Sequence, residues 1–355
     1  MSTMRSRSNR PRRVPALAAL AAVAGVGAAC LVAASSAAAA PSLDAYAGAI
    51  GGAGIGTVPG GCSMSPAKAL DFFTFNGFTL PPEGIAACGY SGGLDQASAA
   101  TGPLTLAKSL PAVSLGPRPS EGSFTGNAQS VARYGSLGAS AHGDIGLGRP
   151  TGSVALYESV GAARFNDTLT ASSPMVSALS AGFVSYRFAV DGRLDVPGTP
   201  APYYFGETYF VLDVQHQGGP VYEVMNAHTR RGGVSTISNG PPGAGWTTGP
   251  GLLDGAGSFE IKDFPMVWGQ PWEVSVGLLS WAYGSADANF LSTAKLTGLT
   301  LYDAHHVEVT TFSLSAASGT AYLAPVPEPA AAALLALGLG ALGWLQRAGR
   351  RRVRG

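Results

Sequence analysis

Residues 184–190 read Val-Ser-Tyr-Arg-Phe-Ala-Val, in which large apolar side chains alternate with Ser185, Arg187 and Ala189. Successive side chains of a β-strand point to opposite faces, so this period of two predicts a strand with one buried face. Asp191-Gly192 follows directly and predicts a hairpin-type turn. The segment therefore indicates antiparallel β-structure.

Further runs of this type follow in the second half of the chain, with Gly and Pro between them. They are Tyr203–Gln215, Val221–Met225, Phe259–Phe264, Trp272–Leu279, Ala294–Tyr302 and Val307–Leu314. The 50 Gly and 25 Pro residues favour turns over long helices. We predict an all-β ectodomain over residues 122–325, an antiparallel sandwich of jelly-roll-like type.

Residues 41–121 have no clean period and are rich in Gly, Pro, Ala and Ser. We predict an irregular segment here, with a short helix or strand near residues 67–75. Cys62 and Cys88 form an even pair in this segment, since Cys30 falls in the apolar run near the N-terminus. In an oxidising compartment the pair is predicted to form a disulfide.

The first 40 residues have the three parts of a secretory signal peptide. Five arginines precede an apolar stretch, Ala16–Ala34, and the small residues 35–40 follow it. A signal peptidase requires small side chains near its cleavage site. We therefore predict export, with residues 1–40 as the discarded leader.

Charge is scarce and unevenly distributed: only 12% of residues are charged, against roughly 25% in an ordinary soluble domain. Ten of the 22 Lys and Arg residues lie at the two termini. The region between them keeps 12 basic and 20 acidic residues, a net charge near −8. A nucleic-acid-binding domain needs clustered basic side chains, so this charge excludes nucleic acid as the partner.

The C-terminal 30 residues contain three parts in a fixed order. Val326-Pro327-Glu328-Pro329 is followed by sixteen uncharged residues, 330–345, and then by a basic tail. The prolines keep the first part extended and accessible to a protease. A helix of sixteen residues rises about 24 Å, slightly less than the thickness of the hydrocarbon core of a bilayer. The basic tail favours the cytoplasmic side. It consists of Arg347, Arg350, Arg351, Arg352 and Arg354.

This order resembles the PEP-CTERM sorting signal of Gram-negative bacteria, over residues 326–355. The resemblance implies processing by an exosortase, a membrane-embedded cysteine protease-transpeptidase, which would recognise Pro327, Glu328 and Pro329. It further implies transient anchoring in the inner membrane, release to the cell surface or exterior, and an association with exopolysaccharide. A looser resemblance to PEP-CTERM ectodomains covers residues 132–138 and 290–322.

Several residues are candidates for chemical sites. Gly89-Tyr90-Ser91-Gly92-Gly93 matches the G-x-S-x-G pattern of serine hydrolases but lacks an alternating β/α context. A metal could bind near the C-terminal end of the β region, although a strand would separate the histidines on two faces. The residues concerned are Asp303, His305, His306 and Glu308.

Turn aspartates could hold calcium, but their use in turns explains them equally well. These are Asp191, Asp195, Asp213 and Asp254.

The single histidines His142, His216 and His228 are interpreted as surface or hydrogen-bonded residues. Aromatic residues are dense in the second half, and Trp246 lies among Gly and Pro, where a loop tryptophan could stack on a sugar ring.

We expect a non-catalytic matrix or structural protein without catalytic residues, metal or cofactor. The alternatives are a glycan-binding module, favoured by an aromatic row on one sheet face, and a secreted hydrolase, favoured by Ser91 in a pocket.

Overall fold

A computed structural model describes residues 40–53, 89–146, 156–196, 206–217, 219, 221–229, 233–239, 245–247 and 257–322. All of them belong to one compact unit, Ala38–Gly355. The predicted leader up to residue 39, the cysteines Cys62 and Cys88, and the sorting signal lie outside these ranges. Within these ranges, no helix combines the length and apolar character needed to span a membrane.

Sixteen strands are present in the described ranges, together with one short 3-10 helix at Pro119–Glu121. The strands are β1 (Ser42–Gly52), β2 (Ser91–Ala99), β3 (Leu104–Ser114), β4 (Ser123–Arg133), β5 (Ser136–Ile145), β6 (Leu156–Ser172), β7 (Ala181–Val190), β8 (Arg193–Asp195), β9 (Gly206–His216), β10 (Val221–Thr229), β11 (Gly233–Asn239), β12 (Gly245–Thr247), β13 (Gly257–Val267), β14 (Pro271–Gly284), β15 (Ala286–Asp303) and β16 (Ser313–Ala316).

The strands form two antiparallel sheets, packed face to face. Sheet 1 has the order β11-β10-β9-β14-β6-β1-β2, and β16 extends it by pairing with the end of β6. Sheet 2 has the order β12-β13-β7-β15-β5-β4-β3, and β8 pairs with β15. One large core joins the inner faces of both sheets. The prediction of an all-β, antiparallel sandwich is confirmed.

In residues 41–53 and 89–121, the structure differs from the expected irregular segment. Strands β1 and β2 form one edge of sheet 1, and β3 forms an edge of sheet 2. Strand β1 is rich in alanine and glycine and is buried on both faces for most of its length. A strand buried on both faces has no alternation of apolar and polar side chains, so its sequence lacks the expected signal.

Two further expectations are wrong in detail. Strands β7 and β8 both pair with β15, Val190 with Ala294 and Arg193 with Asn289, so the chain continues along β15 instead of reversing at Asp191-Gly192. An added Cβ at Gly192 would lie 2.1 Å from the Phe290 ring and collide with it. Glycine therefore lets the chain pass this ring. The run Val307–Leu314 is mostly irregular, with one isolated bridge from Glu308 to Tyr302, because β16 begins only at residue 313.

The size of the side chains that fill the core changes along the sandwich. Over β7, β9, β13, β14 and β15 it is filled by large rings and branched side chains, among them Tyr186, Phe188, Phe210, Trp272 and Phe290. Over β1, β4, β5 and β6 many inner positions carry only alanine or glycine, so the backbones of the two sheets approach closely. At Gly161 of β6, an added Cβ would lie 2.3 Å from the Gln129 carbonyl oxygen of sheet 2.

Candidate functional site

The C-terminal end of the described chain is bound firmly to sheet 1. Strand β16 pairs with residues 169–172 of β6, and the chain then runs alongside β6 to Tyr322. The buried carboxylate of Asp167 accepts hydrogen bonds from the Ser318 amide, at 3.0 Å, and from the Tyr322 hydroxyl, at 2.6 Å. The Ser318 hydroxyl donates to the same carboxylate.

This attachment fixes the point from which the sorting signal departs. The centroids of the Tyr322 and Phe165 rings lie 6.3 Å apart. Burial and the Asp167 carboxylate raise the pKa of the Tyr322 hydroxyl. Hydrogen bonds to a charged partner contribute roughly 1.5 to 3 kcal/mol each. Four residues, 323–326, separate Tyr322 from Pro327. The motif is therefore tied closely to the folded sandwich.

A second concentration of functional groups lies on the outer face of sheet 1. Tyr46 of β1, Tyr209 of β9, and Trp281 and Tyr283 of β14 form the outer aromatic cluster on this face. Tyr283 lies at its rim and also contacts the Tyr157 ring of a smaller core cluster, with 4.5 Å between ring centroids. The ring centroids of Tyr209 and Trp281 are 4.9 Å apart, and those of Trp281 and Tyr283 are 5.6 Å apart. Trp281 is buried, whereas the three tyrosines are half-buried.

Two carboxylates flank the outer aromatic cluster. Glu158 of β6 is buried and accepts a hydrogen bond of 3.2 Å from the Trp281 indole nitrogen. Burial raises the pKa of Glu158 to about 7, and the indole hydrogen bond opposes that shift. Glu207 of β9 accepts a hydrogen bond of 2.9 Å from the Tyr209 hydroxyl. Both carboxylates lie on strands that neighbour Tyr283 of β14.

Ser91 is the first residue of β2 and pairs with Gly51 of β1 in the antiparallel ladder. The G-x-S-x-G pattern exposes a nucleophile only at a sharp turn between a strand and a helix. Here a strand follows the serine, and Gly92 takes a positive φ of 97° within it. The structural context on which the hydrolase hypothesis depends is therefore not formed at Ser91.

The group Asp303, His305, His306 and Glu308 lies on the turn after β15. The Asp303 carboxylate accepts hydrogen bonds from the backbone amides of His305 and Val307, which lower its pKa. His306 instead stacks on Phe183, with 4.0 Å between ring centroids. In the part of the chain that the structure describes, no three His, Cys, Asp or Glu side chains gather as a metal site.

The other predicted single residues are dispersed. His142 lies 3.3 Å from Asp287, whose hydrogen bond raises the histidine pKa. His216 is buried in the core, and His228 lies on β10. Asp195 pairs with Arg193, and Asp213 is buried on β9. Asp191 lies between β7 and β8, and Asp254 is outside the described residues.

The aromatic residues in the second half of the chain divide into four groups. Trp268 and Trp272 are core residues, and Tyr209, Trp281 and Tyr283 belong to the outer aromatic cluster. Trp246 lies on β12 and not on a loop. Tyr203, Tyr204 and Phe205 are outside the described residues.

Sequence reasoning missed Asp167, Glu158, Glu207 and Tyr46. Their partners lie from two residues to more than a hundred residues away in sequence, and strand pairing brings the distant ones together. In the Asp167 attachment, Ser318 and Tyr322 carried a signal, because both lie in the looser resemblance at residues 290–322.

A family model described as the PEP-CTERM protein-sorting motif matches residues 325–352. The resemblance found at this end of the sequence is confirmed, and the matched range contains Val326-Pro327-Glu328-Pro329 and the first four tail arginines. The motif marks the chain for export and for anchoring by its C-terminus before cleavage. No curated protein matches the chain in sequence.

Proposed function

From the PEP-CTERM sorting motif at its C-terminus, we propose that this chain is a non-catalytic structural component of the cell envelope or biofilm matrix. An exosortase cuts near Pro327-Glu328-Pro329 and releases the sandwich to the cell surface or exterior, where it associates with exopolysaccharide. The observation that carries this proposal is the motif itself. The Asp167 attachment supports it, because it delivers a folded domain directly to the processing site.

The test is the fate of the tail in an exosortase-bearing host. In the wild-type chain, we expect intact mass measurement to show loss of the tail near Pro327 and to find the product outside the inner membrane. Replacing Glu328 by Ala removes the charged group between the two prolines, so the variant should remain full-length in the inner membrane. A fall in processing of at least about tenfold is expected for a lost charged recognition contact.

The matched control is Gln346→Ala, which removes a polar group just beyond the apolar run and leaves the motif intact. It should be processed like the wild type. Equal processing of the Glu328 variant and the wild type at the same site would contradict sorting through the motif.

The outer aromatic cluster favours a second candidate function, glycan binding. Flat aromatic faces stack on sugar rings, and carboxylates accept hydrogen bonds from sugar hydroxyls. Tyr46, Tyr209 and Tyr283 are half-buried, so part of each side chain faces outward, and Glu207 lies beside them. This arrangement suits a neutral polysaccharide.

Affinity electrophoresis in gels containing neutral or acidic polysaccharides tests this candidate. Replacing Tyr46 and Tyr209 together by Ala should abolish retardation by a neutral polymer, because each stacking contact contributes roughly 1 kcal/mol. Tyr302→Ala, on sheet 2, is the control and should retain binding. If the wild type migrates freely through every polymer, the cluster has no role in glycan binding.

A further inference from the structure

One end of the sandwich gathers the exposed large apolar side chains. In the described residues these are Met175, Leu179, Val267 and Val307, with 72%, 68%, 39% and 60% of their surface exposed. We call this group the apolar end. Single exposed apolar residues are ordinary on any protein surface. Their confinement to one end is what requires an explanation.

Backbone hydrogen bonds bring these four residues to the same end. Val267 pairs with Ala181 at the start of β7, and Gly182 pairs with Asp303 at the end of β15. The Val307 carbonyl accepts a hydrogen bond from the Asp303 amide, and the Leu179 amide donates to the Trp268 carbonyl. Met175 and Leu179 both lie on the connection from β6 to β7.

The backbone at Leu179 is held in an unfavourable conformation. Its φ of 65° is left-handed, which costs a non-glycine residue on the order of 1 kcal/mol or more. Hydrogen bonds from the Leu179 amide to the Trp268 carbonyl, and from the Trp268 amide to the Ser180 carbonyl, maintain it. Glycine or asparagine would suit this position better, so the strain favours a use for the exposed leucine.

Two carboxylates near the apolar end are already engaged. The Asp303 carboxylate is bound by its own turn, and Asp263 lies 3.5 Å from the His306 ring. These two carboxylates therefore keep their present partners when this end contacts an apolar phase.

The length of the C-terminal tail places the apolar end within reach of the membrane. Seven residues, 323–329, separate Tyr322 from Ala330, where the apolar run begins, so the distance between these two residues is at most about 27 Å. From Asp167, which holds Tyr322, β6 continues for five residues, about 17 Å, to the apolar end. The headgroup layer is only about 5 to 7 Å thick.

We propose that the apolar end of the sandwich rests on the phospholipid bilayer while the chain is anchored by its C-terminus. The contact inserts Met175, Leu179, Val267 and Val307 among the headgroups and upper acyl chains. It orients the sandwich, and with it the motif, toward the membrane-embedded processing enzyme. This inference rests on the proposed function, because it requires the anchored state.

The test uses the full-length chain in nanodiscs of phosphatidylethanolamine and phosphatidylglycerol that contain a photoactivatable phospholipid. After illumination, lipid-modified peptides are located by mass spectrometry. We expect modification within residues 173–180 and 304–312. Replacing Met175 by Ser and Leu179 by Asn, which accepts a left-handed φ, should lower the yield over residues 173–180 at least about fivefold.

The control variant changes two exposed residues of β4, Thr125→Ser and Gln129→Asn, and should be modified like the wild type. Thermal unfolding of both variants in the same nanodiscs confirms that they are folded. A chain that fails to co-purify with nanodiscs would overturn the anchor and thus the proposed function. Co-purification with lipid modification absent from residues 173–180 and 304–312 would overturn this inference alone.

Discussion

Replacing Gly161 by Ala is expected to lower the free energy of unfolding by about 3 kcal/mol or more. The added Cβ would lie 2.3 Å from the Gln129 carbonyl oxygen and 2.4 Å from the Ser140 carbonyl oxygen. Both are backbone atoms of sheet 2, so no change of rotamer relieves the clash. The two sheets must separate locally, and the neighbouring small residues cannot fill the gap that this opens.

Urea unfolding of the full-length chain, followed by tryptophan fluorescence, measures this loss. Gly298→Ala is the matched control, because Gly298 also lies on a strand but has no atom within 4 Å of an added Cβ. Its stability should stay within about 1 kcal/mol of the wild type. A Gly161 variant as stable as the control would show that the sheets do not approach as closely as described.

Close approach of the sheets also explains what the sequence could predict. Residues 184–190 alternate because β7 meets the core with one face through Val184, Tyr186 and Phe188. Strand β1 reaches the same core only through Leu43, and its next buried residues include Ala45 and Ala47, which have weak strand preferences and no alternation. Local pattern therefore identified individual strands in the aromatic half of the sandwich, whereas β1 to β3 fell in the segment predicted to be irregular.

The candidate sites divide in the same way. The sorting motif is contiguous, so three consecutive residues and their flanks sufficed to predict it. The outer aromatic cluster requires the register of four strands: Glu158 and Glu207 become neighbours of Tyr283 only through the pairing of β6, β14 and β9. Asp167 and Tyr322 are 155 residues apart. No pattern within one segment contains such information.

Two buried groups should give this protein opposing pH dependences between about pH 7 and pH 4.5. His216 lies in a chain of hydrogen bonds from the Trp272 indole to the Tyr186 hydroxyl, from that hydroxyl to Nδ1, and from Nε2 to the Pro265 carbonyl. Every member is satisfied only when the imidazole is neutral. Burial lowers the pKa of His216 from 6.5 to about 4, although the Pro265 carbonyl favours protonation.

The sign follows from where each proton binds. Below pH 6.5 the unfolded chain protonates at His216 while the folded chain does not, so stability is lost as pH falls toward 4. Glu158 acts in the opposite direction, because its pKa is raised from 4.5 to about 7. The folded chain takes up that proton first, and stability rises as pH falls from 7 to 4.5. Each contribution amounts to about 2 to 3 kcal/mol.

Single replacements should therefore separate two trends that nearly cancel in the wild type. Glu158→Gln, which keeps a carbonyl oxygen for the Trp281 indole, should lose about 2 to 3 kcal/mol of unfolding free energy between pH 7 and 4.5. His216→Gln should gain a similar amount over the same range. Urea unfolding at pH steps of half a unit measures both slopes, and the double variant serves as the control with neither. Parallel slopes in the two single variants would show that these buried groups do not set the pH dependence, since burial favours the protonated form of an acid such as Glu158 and the deprotonated form of a base such as His216.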